Sequence, residues 1–353
     1  MGGGVVGASV AFHLVRHGVR VHVVEPGEPG SGATEVSFAR LSAYQQPTHS
    51  RFRISRAGIT EYAALARLID LSPWWHRCGS LVWGGIALRA HVEQMRGWGY
   101  QVHWHEAREV NRSLDPHIRF ADPAEPVALL PEEGWVDAPG LTRALLTAAE
   151  HAGELLHWKS RAELVTARSE IRAVRLVGGT ELRVDAVVNA AGAGAAELAA
   201  GVGAPMSPPA GRTGLVVDLR TAAAPPSNVL RGPDVHVRAA GAGLLRVRSD
   251  QVDERLSAAS EGELVSELLA RVRRSLPGLA GADVERVRTG TAVFPGDGHP
   301  CVGAVSAVGG YYEALTNSGV TVGPLLGRLL AEYIATGRRD ELLEDCRPDR
   351  LRL

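Results

Sequence analysis

The sequence predicts a two-part α/β fold, and three stretches carry that prediction. "MGGGVVGASVAFHLVRHGVRVHVVE" places Gly2, Gly4 and Gly7 in G-x-G-x-x-G spacing, then a helical apolar pattern, a glycine stop and a strand-like run closing on Glu25. "VDAVVNAAG" reads as a strand running into small residues that let backbone approach a ligand. "GGYYEALTNSGVTVGPLLGRLLAEYIATG" reads as strand, tight turn and helix.

In the first stretch Val10, Leu14 and Val15 carry the helix and Gly18 stops it. Such a unit binds a mononucleotide: the glycines permit a tight turn against a pyrophosphate, the helix N-terminus offers free N–H groups, and the acid accepts ribose hydroxyls. The first strand of a doubly wound sheet normally lies mid-sheet, yet only Met1 precedes the glycines. Leaving out five or six residues there would orphan buried ladder groups at about 1–3 kcal/mol each. The expectation is that Met1 is not the native start and that an apolar strand is encoded upstream.

Farther along, a Gly/Pro/Ser/Thr loop follows Glu25, and spacing predicts helices over 56–69, 92–99, 141–151 and 260–274. Strands are expected at 155–157 and 185–189, with a Gly178-Gly179 hairpin between alternating strands and a strand-rich passage from 212 to 248. In the last stretch Leu325, Leu326, Leu329, Leu330, Tyr333 and Ile334 form a helical stripe, with Pro324 expected in the first turn and Gly337 as the stop.

Composition narrows the function. The 353 residues are 45% hydrophobic and 22% charged with a net charge of -1, which suits two interleaved domains and lacks the basic footprint of a nucleic-acid or polybasic membrane binder. The three cysteines, Cys78, Cys301 and Cys346, show no disulfide or zinc spacing, so no metal is expected and a reducing cytoplasm fits. No apolar run reaches the roughly 18 residues of a membrane span. Lysine occurs once, at Lys159, which removes it from almost every catalytic role.

Four stretches, "GGGVVGASVAFHL" through Glu25, "GSGATEVSFA", "VDAVVNAAGAGAAELAA" and "PGDGHPCVG" with "TNSGVTVGPLLGRLLAE", stand in the order of the D-amino-acid oxidase and glycine oxidase superfamily, the DAO family, and the chain resembles it from end to end. The resemblance implies a discontinuous Rossmann-like FAD-binding domain (1–80, 135–211 and 285–353) and a substrate domain on a mixed or antiparallel sheet (81–134 and 212–284). It places Gly2, Gly4 and Gly7 on the FAD pyrophosphate and Glu25 on the adenosine ribose. Ser31, Gly32 and Thr34 fall on the cofactor loop, Ala191 and Gly192 at a second close approach, and Gly319, Val320 and Thr321 at the flavin pyrimidine edge. The implied reaction oxidises a C–N bond of an amino acid or related amine by hydride transfer to flavin N5, giving an imine that water hydrolyses. The partners would be that small molecule and oxygen or another electron acceptor.

The chain departs from the family pattern in places. Aligned on Pro295, Asp297, Gly298 and Pro300, the family's carboxylate-pairing arginine is replaced by Ala292. Arg288, Arg238, Arg246 and Arg40 are substitutes, though each reads first as a surface arginine. Asn317 stands where many relatives carry His, which removes a titrating group. Lys159 lies away from the place of the oxygen-activating lysine of some relatives, which favours a dehydrogenase. Tyr44, His49, Tyr311 and Tyr312 are pocket candidates with Asn317. His103 and His105 read as packing or solvent residues and Cys301 as a small buried hydrophobe. Two alternatives remain open at this point: an NAD-dependent dehydrogenase sharing the glycine fingerprint, and a truncated, non-enzymatic remnant.

Overall fold

The computed structural model describes all residues except 86, 154, 207–209 and 353. Met1 and Gly2 lie between two sheet fragments. Gly2 N–H donates to Val24 O at 2.9 Å, the Met1 ammonium to Val188 O at 2.9 Å, and Ala190 N–H to Met1 O at 2.8 Å. On one side His22–Glu25 pairs in parallel with Leu155–Trp158. On the other, Val187–Asn189 pairs in parallel with Tyr311–Leu315, which pairs antiparallel with Cys301–Ala304.

The first helix, Val5–Arg16, is buried on nearly every side. Val5, Ala8, Ala11 and Phe12 join one core with Leu141 and Leu145 of helix Ala138–His151. Val10 and Leu14 join another with the stripe of the C-terminal helix Gly319–Thr336. Such all-round burial is typical of a helix inside a domain.

His13 sits on this helix at 4% exposure, and its Nε2 has no hydrogen-bond partner among the described residues. Burial, then the positive fields of Arg328, Arg16 and His17, bring its pKa from 6.5 down to about 3. The unfolded chain takes up a proton that the folded chain refuses, so this contribution is complete above pH 6.5 and declines toward pH 3. At pH 5 the site should remove about 2 kcal/mol of stability. Urea midpoints at neutral and acid pH check this, and His13→Leu should flatten that share of the profile.

Two helices differ from the sequence reading. The helix expected over 56–69 spans His49–Leu65, because Thr48 caps it by accepting from Arg51 N–H at 3.2 Å. The one expected over 92–99 spans Leu88–Gly97. Pro324 also falls differently: with the helix starting at Gly319 it is the sixth residue, beyond the first turn. Its missing N–H would orphan Val320 O, and the hydroxyl of fully buried Tyr62 donates there instead at 2.6 Å. Tyr62→Phe should therefore lower unfolding free energy by about 1–3 kcal/mol, measurable by urea denaturation; an unchanged midpoint would refute the role.

The remaining large feature is an eight-stranded sheet. Its order is Asp283–Phe294, Ala210–Arg220, Leu244–Arg248, His236–Ala239, Val229–Arg231, Ser80–Trp83, Pro126–Leu130 and His103–Glu106. Neighbours are antiparallel except Val229–Arg231 against Ser80–Trp83. Leu215, Val217, Val237, Leu245 and Val247 pack from it onto Leu264, Leu268 and Val272 of helix Glu261–Ser275, which a Ser260/Glu263 capping box begins. The expected boundaries at 211/212 and 284/285 fall inside its strands 210–220 and 283–294. Among the described residues no helix is long and apolar enough to cross a membrane, and no group of three or more His, Cys, Asp or Glu is placed to hold a metal.

Candidate active site

The glycine turn is a cradle held from two sides. A Cβ on Gly7 would lie 2.0 Å from Gly2 O, and one on Gly2, whose φ is +103°, would lie 2.4 Å from Ala190 O. A Cβ on Gly4 would meet only Thr34 Oγ1, at 3.3 Å. Glu25 accepts from Gly3 N–H at 2.7 Å and Gly27 N–H at 2.8 Å, tying the strand end to the turn. Thr34 Oγ1 accepts from Val5 N–H at 3.1 Å, so the loop after Glu25 supplies a cap that Gly4 cannot.

These residues open onto a cavity of about 1700 Å³. Gly2, Gly4, Glu25, Ser31, Gly32, Thr34, Ala191, Gly192, Gly319, Val320 and Thr321 all line it, whereas Gly7 lies inside the turn. Two helix N-termini border the cavity: neither Gly4 nor Ser318 caps its helix with a side chain, and neither first turn holds an acid. Such termini carry free N–H groups and about half a positive charge each. A long ligand with a pyrophosphate along its length and an electron-accepting ring edge at one end fits this chemistry, as FAD does.

The second close approach is braced from behind. Asn189 Oδ1 accepts from Ala191 N–H at 3.2 Å, and Asn189 Nδ2 donates to Tyr311 Oη and Ala195 O, both at 2.8 Å. Tyr311, fully buried, thus stands behind the turn and outside the cavity lining. Tyr312 packs edge-on against Tyr333, and His49 against Phe52 and Trp98, so neither lines the cavity. Tyr44 and Asn317 do. Asn317 Oδ1 accepts at 3.1 Å from Arg51 Nη2, on an arginine only 4% exposed.

The four candidate arginines are not surface residues. Arg238 and Arg246 are buried at 2% and 8% exposure, and the Arg288 and Arg40 side chains are nearly so. Arg246 pairs bidentately with Asp218 at 2.8 and 3.0 Å and donates to Ser37 O at 2.9 Å. Arg288 bonds Asp218 and approaches Glu35 at 3.5 Å, and Arg238 donates to Phe38 O at 2.5 Å. Burial raises the Asp218 pKa, but hydrogen bonds from Arg246 and the nearby arginine charges outweigh it and hold the carboxyl below its usual range. This cluster clamps the backbone of 35–38 onto the eight-stranded sheet. Arg40 has its own partner, Glu133, at 4.0 Å.

Arg231 is the residue sequence reasoning missed. It lines the same cavity, half-buried, with its guanidinium 4.9 Å over the Tyr44 ring and a hydrogen bond to Gln45 Oε1. "VLRGP" holds no signal that separates it from the other arginines. Ala292 also lines the cavity, and its strand neighbour Arg212 lies over Phe294 at 4.8 Å. Lys159 is exposed and pairs with Glu28 at 2.8 Å, and buried Cys301 donates to Glu313 at 3.0 Å.

The chain matches a family described as DAO, FAD dependent oxidoreductase, over residues 1–333. The uncharacterized oxidoreductase YurR of Bacillus subtilis (strain 168) is 27% identical over 97% of this chain and 95% of its own length. A glycine oxidase of Geobacillus kaustophilus (strain HTA426) is 30% identical over 59% of this chain and 57% of its own. The crystal structure of glycine oxidase from Geobacillus kaustophilus superposes with a TM-score of 0.86 and 24% identity, covering 99% of this chain and 97% of that one.

Proposed function

The chain belongs to the DAO family of FAD-dependent oxidoreductases, and from that premise we propose that it oxidises a C–N bond of an amino acid or related amine to an imine that water then hydrolyses. The observation that carries this reading is the pair of helix N-termini, neither with an acid in its first turn, opening on one cavity of about 1700 Å³. Residues 1–80, 135–211 and 285–353 would serve the cofactor, and 81–134 and 212–284 the substrate.

Gly2, Gly4 and Gly7 would admit the pyrophosphate to the first-turn amides of the N-terminal helix, with Glu25 at the adenosine ribose and Ser31, Gly32 and Thr34 along the chain between. Ala191 and Gly192 would make the second close approach, beside Gly2. Gly319, Val320 and Thr321 would face the pyrimidine edge, where the C-terminal helix offers preorganised positive potential. When bound, FAD supplies the acceptor for a hydride from the carbon beside nitrogen. Tyr44 and Asn317 would border the reacting amine. His236, which burial foremost and then Arg231, Arg248 and Arg40 hold well below its usual pKa, stays neutral beside them and adds no charge.

Anaerobic mixing of the FAD-loaded protein with amino acids and secondary amines should bleach the flavin and release a carbonyl product. Reduction by 2-hydroxy acids alone, or by no amine, would overturn the proposal. No lysine borders the cavity among its described lining residues. Reoxidation by a dye acceptor should therefore outpace oxygen uptake.

A further inference from the structure

We propose that Arg231 anchors the carboxylate of an amino-acid substrate, from the Tyr44 side of the cavity and not from the strand that carries Ala292. This rests on the oxidoreductase reading above and narrows its substrate to amines that bear a carboxylate.

Ala292 presents only a methyl group to the cavity, so an anion has to be held elsewhere. Most nearby cations are already paired. Arg246 and Arg288 bind Asp218, Arg248 binds Asp250 and Asp253 at 2.7 and 2.6 Å, and Arg40 faces Glu133 at 4.0 Å, with its Nη1 buried and unbonded among the described residues. Arg238 is held by Phe38 O and Ala239 O beneath the Trp135 ring. Arg212 is exposed, so water already stabilises its charge.

Arg231 differs from all of these. Among the described residues no carboxylate lies within ion-pair distance of it, and Gln45 and the Tyr44 ring, which it touches, are neutral. Asp250 and Glu133 act on it only through their fields, and each is engaged by another arginine. Burial first, and Arg40 second, bring its pKa down from 12.5 to about 10, which leaves it charged at neutral pH and short of a counter-ion. A partly desolvated cation without a counter-ion is costly, and a carboxylate ligand removes that cost while the planar fork accepts it bidentately.

The placement also orients the ligand. In the sheet order the Val229–Arg231 strand is four strands from the one bearing Ala292, about 19 Å at the usual strand spacing. Tyr44 N–H donates to Ser42 Oγ at 3.1 Å, and Ser42 N–H to Thr321 Oγ1 at 3.4 Å. The Arg231 shelf is thereby tied to the Gly319–Thr321 turn, and a carboxylate held there directs the amine toward that turn.

Calorimetric titration of the FAD-loaded protein with acetate and with neutral acetamide tests this without turnover. Acetate should bind more tightly, and Arg231→Ala should weaken it roughly ten- to hundredfold while leaving acetamide unchanged. Arg231→Lys should recover part of the affinity, since it restores charge without the fork. Equal acetate affinity in Arg231→Ala, or a loss seen in Arg212→Ala instead, would overturn the assignment. If amines bleach the flavin but Arg231→Ala spares acetate, this inference fails and the oxidoreductase reading stands. If no amine bleaches it yet acetate binding still depends on Arg231, the oxidoreductase reading fails and Arg231 is left as a carboxylate site alone.

Discussion

Gly7→Val should abolish FAD binding and destabilise the N-terminal unit together. Its Cβ would stand 2.0 Å from Gly2 O, a backbone atom that cannot yield, because Gly2 donates to Val24 and its own Cβ position is closed by Ala190 O. Accommodating the side chain opens the turn and pulls Met1 and Gly2 from between the two sheet fragments. The expected loss in FAD affinity exceeds about a hundredfold, close to 3 kcal/mol, alongside a lower urea midpoint. Gly4→Ala is the informative companion. Its Cβ meets only Thr34 Oγ1 at 3.3 Å while the residue lines the cavity, so it should weaken FAD with little change in stability. Wild-type affinity in Gly7→Val would refute the cradle.

Arg246→Ala should lower unfolding free energy by about 3–5 kcal/mol, because it removes one partner of a buried pair and leaves Asp218 with Arg288 as its remaining bonded guanidinium. The side chains of the pair are only 9% and 11% exposed, so water does little to replace the lost bonds. The same change frees Ser37 O, hence the loop that runs from Glu25 to Arg40. FAD affinity should fall with stability. Arg246→Lys should recover only part of either, since an ammonium does not reproduce two parallel bonds to Asp218 and a third to the loop. Denaturant titration and FAD titration on both variants check this; an Arg246→Ala protein of unchanged stability would show that the clamp is not energetically important.

Short-range chemistry made much of the fold legible. Glycine spacing, Gly18, the strand-like run into Glu25 and the helical spacing over 260–274 each act within a few residues, and the corresponding elements form where expected. Where a local signal lay in an otherwise polar stretch, as with Thr48 before His49–Leu65, the helix start was displaced. The buried arginines were opaque for a different reason. Arg246 meets Ser37 across 209 residues and Tyr62 meets Val320 across 258, and no local pattern encodes such partners. Tyr311 and His49 sit near cavity residues in sequence, yet strand and helix direction turns them into packing. Arg231 is distinct from its neighbours only in three dimensions, where most nearby arginines meet a carboxylate or main-chain carbonyl and it meets neither.

The cavity between the two helix N-termini should hold FAD. Fluorescence titration of the purified chain with FAD, with NAD as competitor, checks this. Saturation is expected at one FAD per chain, undisturbed by NAD. Failure to bind FAD, or displacement of FAD by NAD, would contradict it.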